Sequence, residues 1–138
     1  VTRFEILEHP ADIGFRTFGS TLPELFENAA LALLSVAYEP GHALPREEFP
    51  IEAAASDYEA LLVNFLNEVL YWADGKRLAL ERVEVRELTL ERILAAVFGE
   101  PRDPARHPAK VIVKAVTYHQ LRLEQTPSGW VAEVYLDI

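Results

Sequence analysis

The chain has 138 residues, half of them hydrophobic and a quarter charged, an ordinary composition for a folded domain. Its formal charge of −9 argues against a direct grip on a phosphate backbone, which needs clustered Lys and Arg. The absence of cysteine excludes disulfides, thiolate metal sites and cysteine nucleophiles, and no apolar run approaches the ~20 residues that cross a bilayer.

Residues 1–12 alternate polar and apolar side chains and lack the apolar core of a signal peptide, so the chain is expected in the cytoplasm. Phe4, Ile6 and Glu8 alternate with Glu5 and Leu7, and Ile13, Phe15 and Thr17 follow a tight connection at His9-Pro10-Ala11. Thr21-Leu22-Pro23-Glu24 then reads as a capping box, with Thr21 as N-cap and Pro23 in the first turn, where its missing N–H costs nothing. Leu22, Leu25, Phe26, Ala29 and Leu33 recur at helical spacing, and Pro40-Gly41 ends the segment. A short strand at Pro50-Ile51-Glu52-Ala53 precedes a second helix. That helix opens on Ser56-Asp57-Tyr58-Glu59, carries Leu61, Leu62, Phe65, Leu66, Val69 and Leu70 on a broad face, and stops near Gly75.

Beyond it, period-two alternation predicts strands over Arg82–Leu90, Ile93–Phe98, Val111–Tyr118, Leu121–Gln125 and Trp130–Leu136. Pro127-Ser128-Gly129 forms the last turn, and residues 99–109, rich in Pro, Gly and charge, read as a loop. Helices confined to the first half and strands dominating the second predict an α+β fold. Two helices should pack on a largely antiparallel sheet, in one domain over residues 1–138.

There is no Gly-rich phosphate loop, no His-Glu-x-x-His and no Gly-x-Ser-x-Gly. His9, His42, His107 and His119 are scattered without metal-ligand spacing, and each reads first as a surface or turn histidine. Asp12 follows a turn in the apolar N-terminal hairpin, and Asp137 closes a strand that feeds the core through Val134 and Leu136. A chain ending at Ile138 sets its α-carboxylate beside Asp137, and hard cations collect oxygen ligands of this kind. The plainer reading makes Asp12 a turn cap and Asp137 a solvated tail residue. Lys114 interrupts the apolar run Val111-Ile112-Val113-Lys114-Ala115-Val116; it either snorkels to the sheet edge or pairs with a carboxylate at a site.

Taken together, these segments resemble the archease family. His9-Pro10-Ala11-Asp12-Ile13-Gly14 is similar to its His-Thr-Ala-Asp-Ile-Gly signature, with Pro10 in the usual place of threonine. Gly19-Ser20-Thr21-Leu22-Pro23-Glu24-Leu25-Phe26-Glu27-Asn28-Ala29-Ala30 resembles the helix that follows. Leu66-Asn67-Glu68-Val69-Leu70-Tyr71, Gly99-Glu100-Pro101, Lys114-Ala115-Val116-Thr117-Tyr118-His119 and Asp137-Ile138 continue the match in order. The resemblance implies an accessory protein, itself no enzyme, that activates an RtcB-type tRNA-splicing ligase by promoting its guanylylation and turnover. It implies a divalent metal, calcium, held by Asp12, Asp137 and Ile138, and makes Lys114, His9 and His119 candidate contacts to the ligase. tRNA would be met only through that ligase. Two other readings compete: a small metal-dependent hydrolase using Asp12, Asp137 and His9, and a chaperone-like module whose acidic face binds a basic protein.

Overall fold

The computed structural model describes residues 2–8, 12–39 and 43–138. Strands β1 (Phe4–Glu8) and β2 (Ile13–Gly19) lead into helix α1 (Leu22–Ala37), then β3 (Glu47–Ala54) and α2 (Tyr58–Leu70). A π-helical turn (Tyr71–Gly75) ends α2, and β4 (Leu78–Leu88), β5 (Arg92–Pro101), β6 (Ala115–Thr126) and β7 (Gly129–Asp137) complete the chain. The class is α+β. Among the described residues, two helices accompany seven strands, which pair antiparallel in two sheets, β1-β2-β7-β6 and β3-β5-β4.

The helices explain why there are two sheets rather than one. α1 buries residues on nearly every side, among them Leu22, Leu25, Phe26, Ala29, Ala30, Leu33, Leu34 and Val36. A helix apolar all round needs cover on more than one side. α1 therefore packs on β2 and β4, and α2 on β6 and β3, so the helices form a middle layer between the sheets.

The helix starts follow local chemistry. Thr21 Oγ1 accepts the Glu24 N–H at 3.3 Å, as a capping box requires, but Glu24 returns its bonds to Ser20, from N at 3.3 Å and Oγ at 2.9 Å. At α2 the cap is Asp57 and not Ser56; its Oδ1 accepts the Ala60 N–H at 2.8 Å.

Several strand boundaries differ from the pattern-based ones: β3 spans Glu47–Ala54, β4 spans Leu78–Leu88, and β6 begins at Ala115 rather than Val111. β6 runs through the predicted break at residues 119–120; a register shift between Thr117 and Arg122, with Gln120 at φ 52°, absorbs the change of phase. β5 continues through Gly99 to Pro101, into what composition marks as loop. Gly99 permits this because a Cβ there would sit 2.3 Å from the Ala79 carbonyl oxygen of β4. Among the described residues, no helix is long and apolar enough to cross a membrane.

Candidate metal centre

β2 and β7 are neighbours in the middle of the four-stranded sheet, with Ile13 opposite Leu136 and Phe15 opposite Val134. Carrying that antiparallel register one step further puts Asp12 opposite Asp137. On β7, Ala132, Val134 and Leu136 point to the helices, so Glu133, Tyr135 and Asp137 take the outer face. By the same alternation Asp12 shares that outer face with Gly14 and Arg16, since Phe15 and Thr17 are buried on the other. Residues from the two ends of the chain thus meet at one end of one sheet.

The described signature residues, Asp12, Ile13 and Gly14, each have a part here. Ile13 packs against the core. Gly14 leaves space for the Tyr135 ring: a Cβ at Gly14 would lie 2.7 Å from Tyr135 Cδ1 and 2.7 Å from the Val134 carbonyl oxygen. Asp12 is the unusual one. Its Oδ1 is buried and has no hydrogen-bond partner among the described residues. A buried carboxylate oxygen without a donor is costly unless something positive meets it.

Asp137 is exposed and ends β7, with Ala115 opposite it on β6. Lys114 lies just before β6 rather than inside a strand, and it is exposed. Its backbone N–H donates to the Asp137 carbonyl at 2.7 Å, which brings Lys114 to the same end of the sheet. Beside it, Val113 is buried while Ile112 is 77% exposed. Ile138 follows Asp137 and is half-exposed.

His119 is exposed and stands edge-on to the Tyr135 ring, with centroids 6.3 Å apart. Its backbone N–H donates to Thr117 Oγ1 at 3.2 Å, and that hydroxyl donates to the Tyr135 carbonyl at 3.1 Å. His119 therefore borders the Asp12–Asp137 face. His9 and Pro10 lie outside the described residues, as does His42. The donors offered here are the carboxylates of Asp12 and Asp137 and the main-chain oxygens of Ile138. Among the described residues, no three His, Cys, Asp or Glu side chains converge into a cluster that could hold a metal.

Farther along the same face, Glu133 lies between Arg16, at 3.1 Å, and Arg122. Burial raises the Glu133 carboxyl, but hydrogen bonds and charge from Arg16 and Arg122 outweigh it and hold the group below the usual range.

The sequence reading gives no site role to two polar groups that the structure singles out, His107 and Asn67. His107 is fully buried and not on the surface, though it does close a turn, its N–H donating to the Asp103 carbonyl at 2.7 Å. Its Nε2 is 3.1 Å from Glu100 Oε2, while Nδ1 accepts the Asp103 N–H at 2.9 Å, which makes Nε2 the donor of a neutral ring. Asn67, on α2, bonds both backbone groups of Val116: its Oδ1 accepts the N–H at 2.9 Å and its Nδ2 donates to the carbonyl at 3.1 Å. A polar residue between Leu66 and Val69 on a buried helix face was the available signal.

Comparison with known proteins shows the family and the fold. The model of the archease protein family (MTH1598/TM1083) matches residues 4–138. The chain belongs to the archease family. It is 40% identical to an archease of Methanosarcina acetivorans, over 99% of this chain and 96% of that one. With an archease of Thermococcus gammatolerans it shares 42% identity over 99% of both chains. The solution structure of Methanobacterium thermoautotrophicum protein 1598 superposes with a TM-score of 0.80 at 29% identity, covering 98% of each chain. A Thermotoga maritima archease, described as a possible chaperone, shares the fold, with a TM-score of 0.66 at 21% identity over 96% of this chain and 94% of that one.

Proposed function

We propose that this archease-family chain is a non-catalytic accessory protein that activates an RtcB-type RNA ligase in tRNA splicing, through a divalent-cation site at the Asp12–Asp137 end of the sheet. The single observation that carries the metal reading is the buried, unpartnered Oδ1 of Asp12, which register sets opposite a second carboxylate. Residues directly opposite across an antiparallel ladder lie about 4.5–5.5 Å apart, close enough for two carboxylates to share one ion. Asp12, Asp137 and a main-chain oxygen of Ile138 would hold it. All three donors are oxygens, which suits a hard cation, and calcium best tolerates so irregular a set. When bound, the cation supplies a positive centre on an otherwise acidic surface. Lys114 adds a cation beside it and His119 an imidazole, both positioned to meet the anionic groups of a ligase active site. His9, three residues before Asp12 in the sequence, is the third candidate contact to the ligase. The ligase is the direct partner, and tRNA is reached only through it.

Calorimetric titration with calcium, run beside ligase turnover with and without this protein, tests both halves. Asp12→Asn and Asp137→Asn each remove one charge at nearly constant size, so calcium affinity should fall on the order of tenfold or more. Ligase activation should fall with it. Unchanged affinity in both variants removes the site. Ligase turnover that ignores the wild-type protein removes the activator role, and phosphoesterase turnover by the isolated protein, lost in Asp12→Asn, restores the hydrolase reading.

A further inference from the structure

β6 is an edge strand of its sheet, with β7 on one side only. Every second residue of such a strand turns its N–H and carbonyl outward, where they fray or invite another strand. Ala115 and Thr117 pair with Asp137 and Tyr135, and Val116, between them, is the residue whose backbone groups face outward. Both are taken by one side chain, the Asn67 carboxamide, at 2.9 and 3.1 Å. Asn67 does for Val116 what a neighbouring strand would do, presenting one acceptor and one donor to a single residue.

The place of this contact gives it a consequence. Val116 is two residues from Lys114 and lies opposite Leu136, the residue before Asp137. The stretch 111–114 precedes the ladder, and Lys114 is tied to β7 through its N–H on the Asp137 carbonyl. The start of β6 is thus fixed at two points, Asn67 on its outer side and Asp137 on its inner side.

We propose that Asn67 is a positioning residue of the candidate metal centre: by closing both outward groups of Val116 it holds Lys114 and Asp137 in register at the end of the sheet. The proposal rests on the reading of that end as a metal site, and its test separates the two. Asn67→Ala removes both bonds. Asn67→Asp keeps the acceptor for the Val116 N–H and sets a second acceptor against the Val116 carbonyl. Asn64→Ala is the control: three residues earlier on α2, Asn64 Nδ2 donates at 2.9 Å to the Ala54 carbonyl of β3, in the other sheet.

Amide hydrogen exchange by NMR reads the clamp with no metal added. In Asn67→Ala the Val116 and Lys114 amides should exchange about tenfold faster, and the Thr126–Gly129 end of the same ladder should be unchanged. Calcium titration reads the consequence. Affinity should fall about tenfold in Asn67→Ala and Asn67→Asp, at thermal midpoints similar to that of Asn64→Ala, which binds as the wild type does. If Lys114 exchange does not respond to Asn67→Ala, the positioning role is wrong even where wild-type protein binds calcium. If exchange responds but calcium affinity stays at the wild-type value, Asn67 is a structural edge cap only. A wild-type protein without calcium affinity overturns the metal reading instead, and accelerated Lys114 exchange in Asn67→Ala then still upholds the register claim.

Discussion

The Glu100 carboxylate, only 2% exposed, gathers donors from Arg106, Leu44 and His107, and Arg46 Nε lies 3.3 Å from its Oε1. Arg106 reaches both its oxygens, at 3.1 and 2.9 Å, the Leu44 N–H donates at 2.8 Å, and His107 Nε2 at 3.1 Å. Hydrogen bonding to Arg106, opposed by burial and aided by Leu44 and His107, holds its carboxyl at about 2 against an ordinary 4.5. A folded-state value below the unfolded one means that the group stabilises the fold above pH 4.5. That contribution is lost as pH falls from 4.5 through about 2. Glu100→Gln removes the charge that titrates, so its thermal midpoint should fall less steeply than that of the wild type between pH 5 and pH 2. Parallel slopes in thermal melts would show that Glu100 is not tied down as described. Single residues of this kind were hard to read from sequence. Gly99-Glu100-Pro101 was visible as a motif and His107 as a lone histidine, yet the bond between them depends on a chain reversal that periodicity does not encode. Asp12 and Asp137 stood out through their apolar surroundings and the family resemblance, while the lack of a partner for Asp12 Oδ1 among the described residues is a property of packing alone.

Among elements, the middle layer of helices has a second task beyond filling the core: its side chains close strand edges. Asn64 reaches β3 and Asn67 reaches β6, while Glu27 accepts the Val85 N–H of β4 at 2.8 Å. Tyr38, at the C-cap of α1, makes the most buried of these contacts. Its hydroxyl donates to the Leu80 carbonyl at 2.9 Å and accepts the Leu80 N–H, beside the register shift of β4 between Leu80 and Arg82. Burial pushes this phenol up to about 12, against the Leu80 bond and the Arg102 charge. Tyr38→Phe keeps the ring and strands two buried backbone groups, which should cost about 1–3 kcal/mol in urea unfolding with the m-value unchanged. A loss below a few tenths of a kcal/mol would mean that water or a shift of β4 replaces the hydroxyl. Helix spans and most strands were legible because apolar spacing and caps are local signals. The second sheet was not, since it follows from α1 burying residues on nearly every side. The unbroken β6 was not either, because a bulge with Gln120 at positive φ shifts the alternation that would mark one strand.

For the whole molecule, charge decides what it can touch. The net −9 is reinforced by the way its cations are used. Arg16, Arg46, Arg82, Arg86, Arg92, Arg102, Arg106 and Arg122 each lie within 4 Å of a carboxylate, and so does Lys110. Arg82 also covers the Phe98 ring at 4.1 Å, and Lys76 sits over Tyr71 and Trp72. Releasing counterions from a nucleic acid requires cations free to meet phosphates, and most of these already meet glutamates. Ordinary non-specific binders reach dissociation constants of about 10⁻⁴–10⁻⁶ M at physiological salt with clustered Lys and Arg. This chain should bind tRNA more weakly than that range, with little change between 50 and 200 mM salt. Fluorescence anisotropy on labelled tRNA measures it directly. Sub-micromolar binding with a steep salt slope would reveal a basic surface among the cations outside these ion pairs, and would make tRNA a direct partner. Adding the ligase separates the two routes again: anisotropy that rises only when the ligase is present puts the RNA on the ligase and this chain beside it.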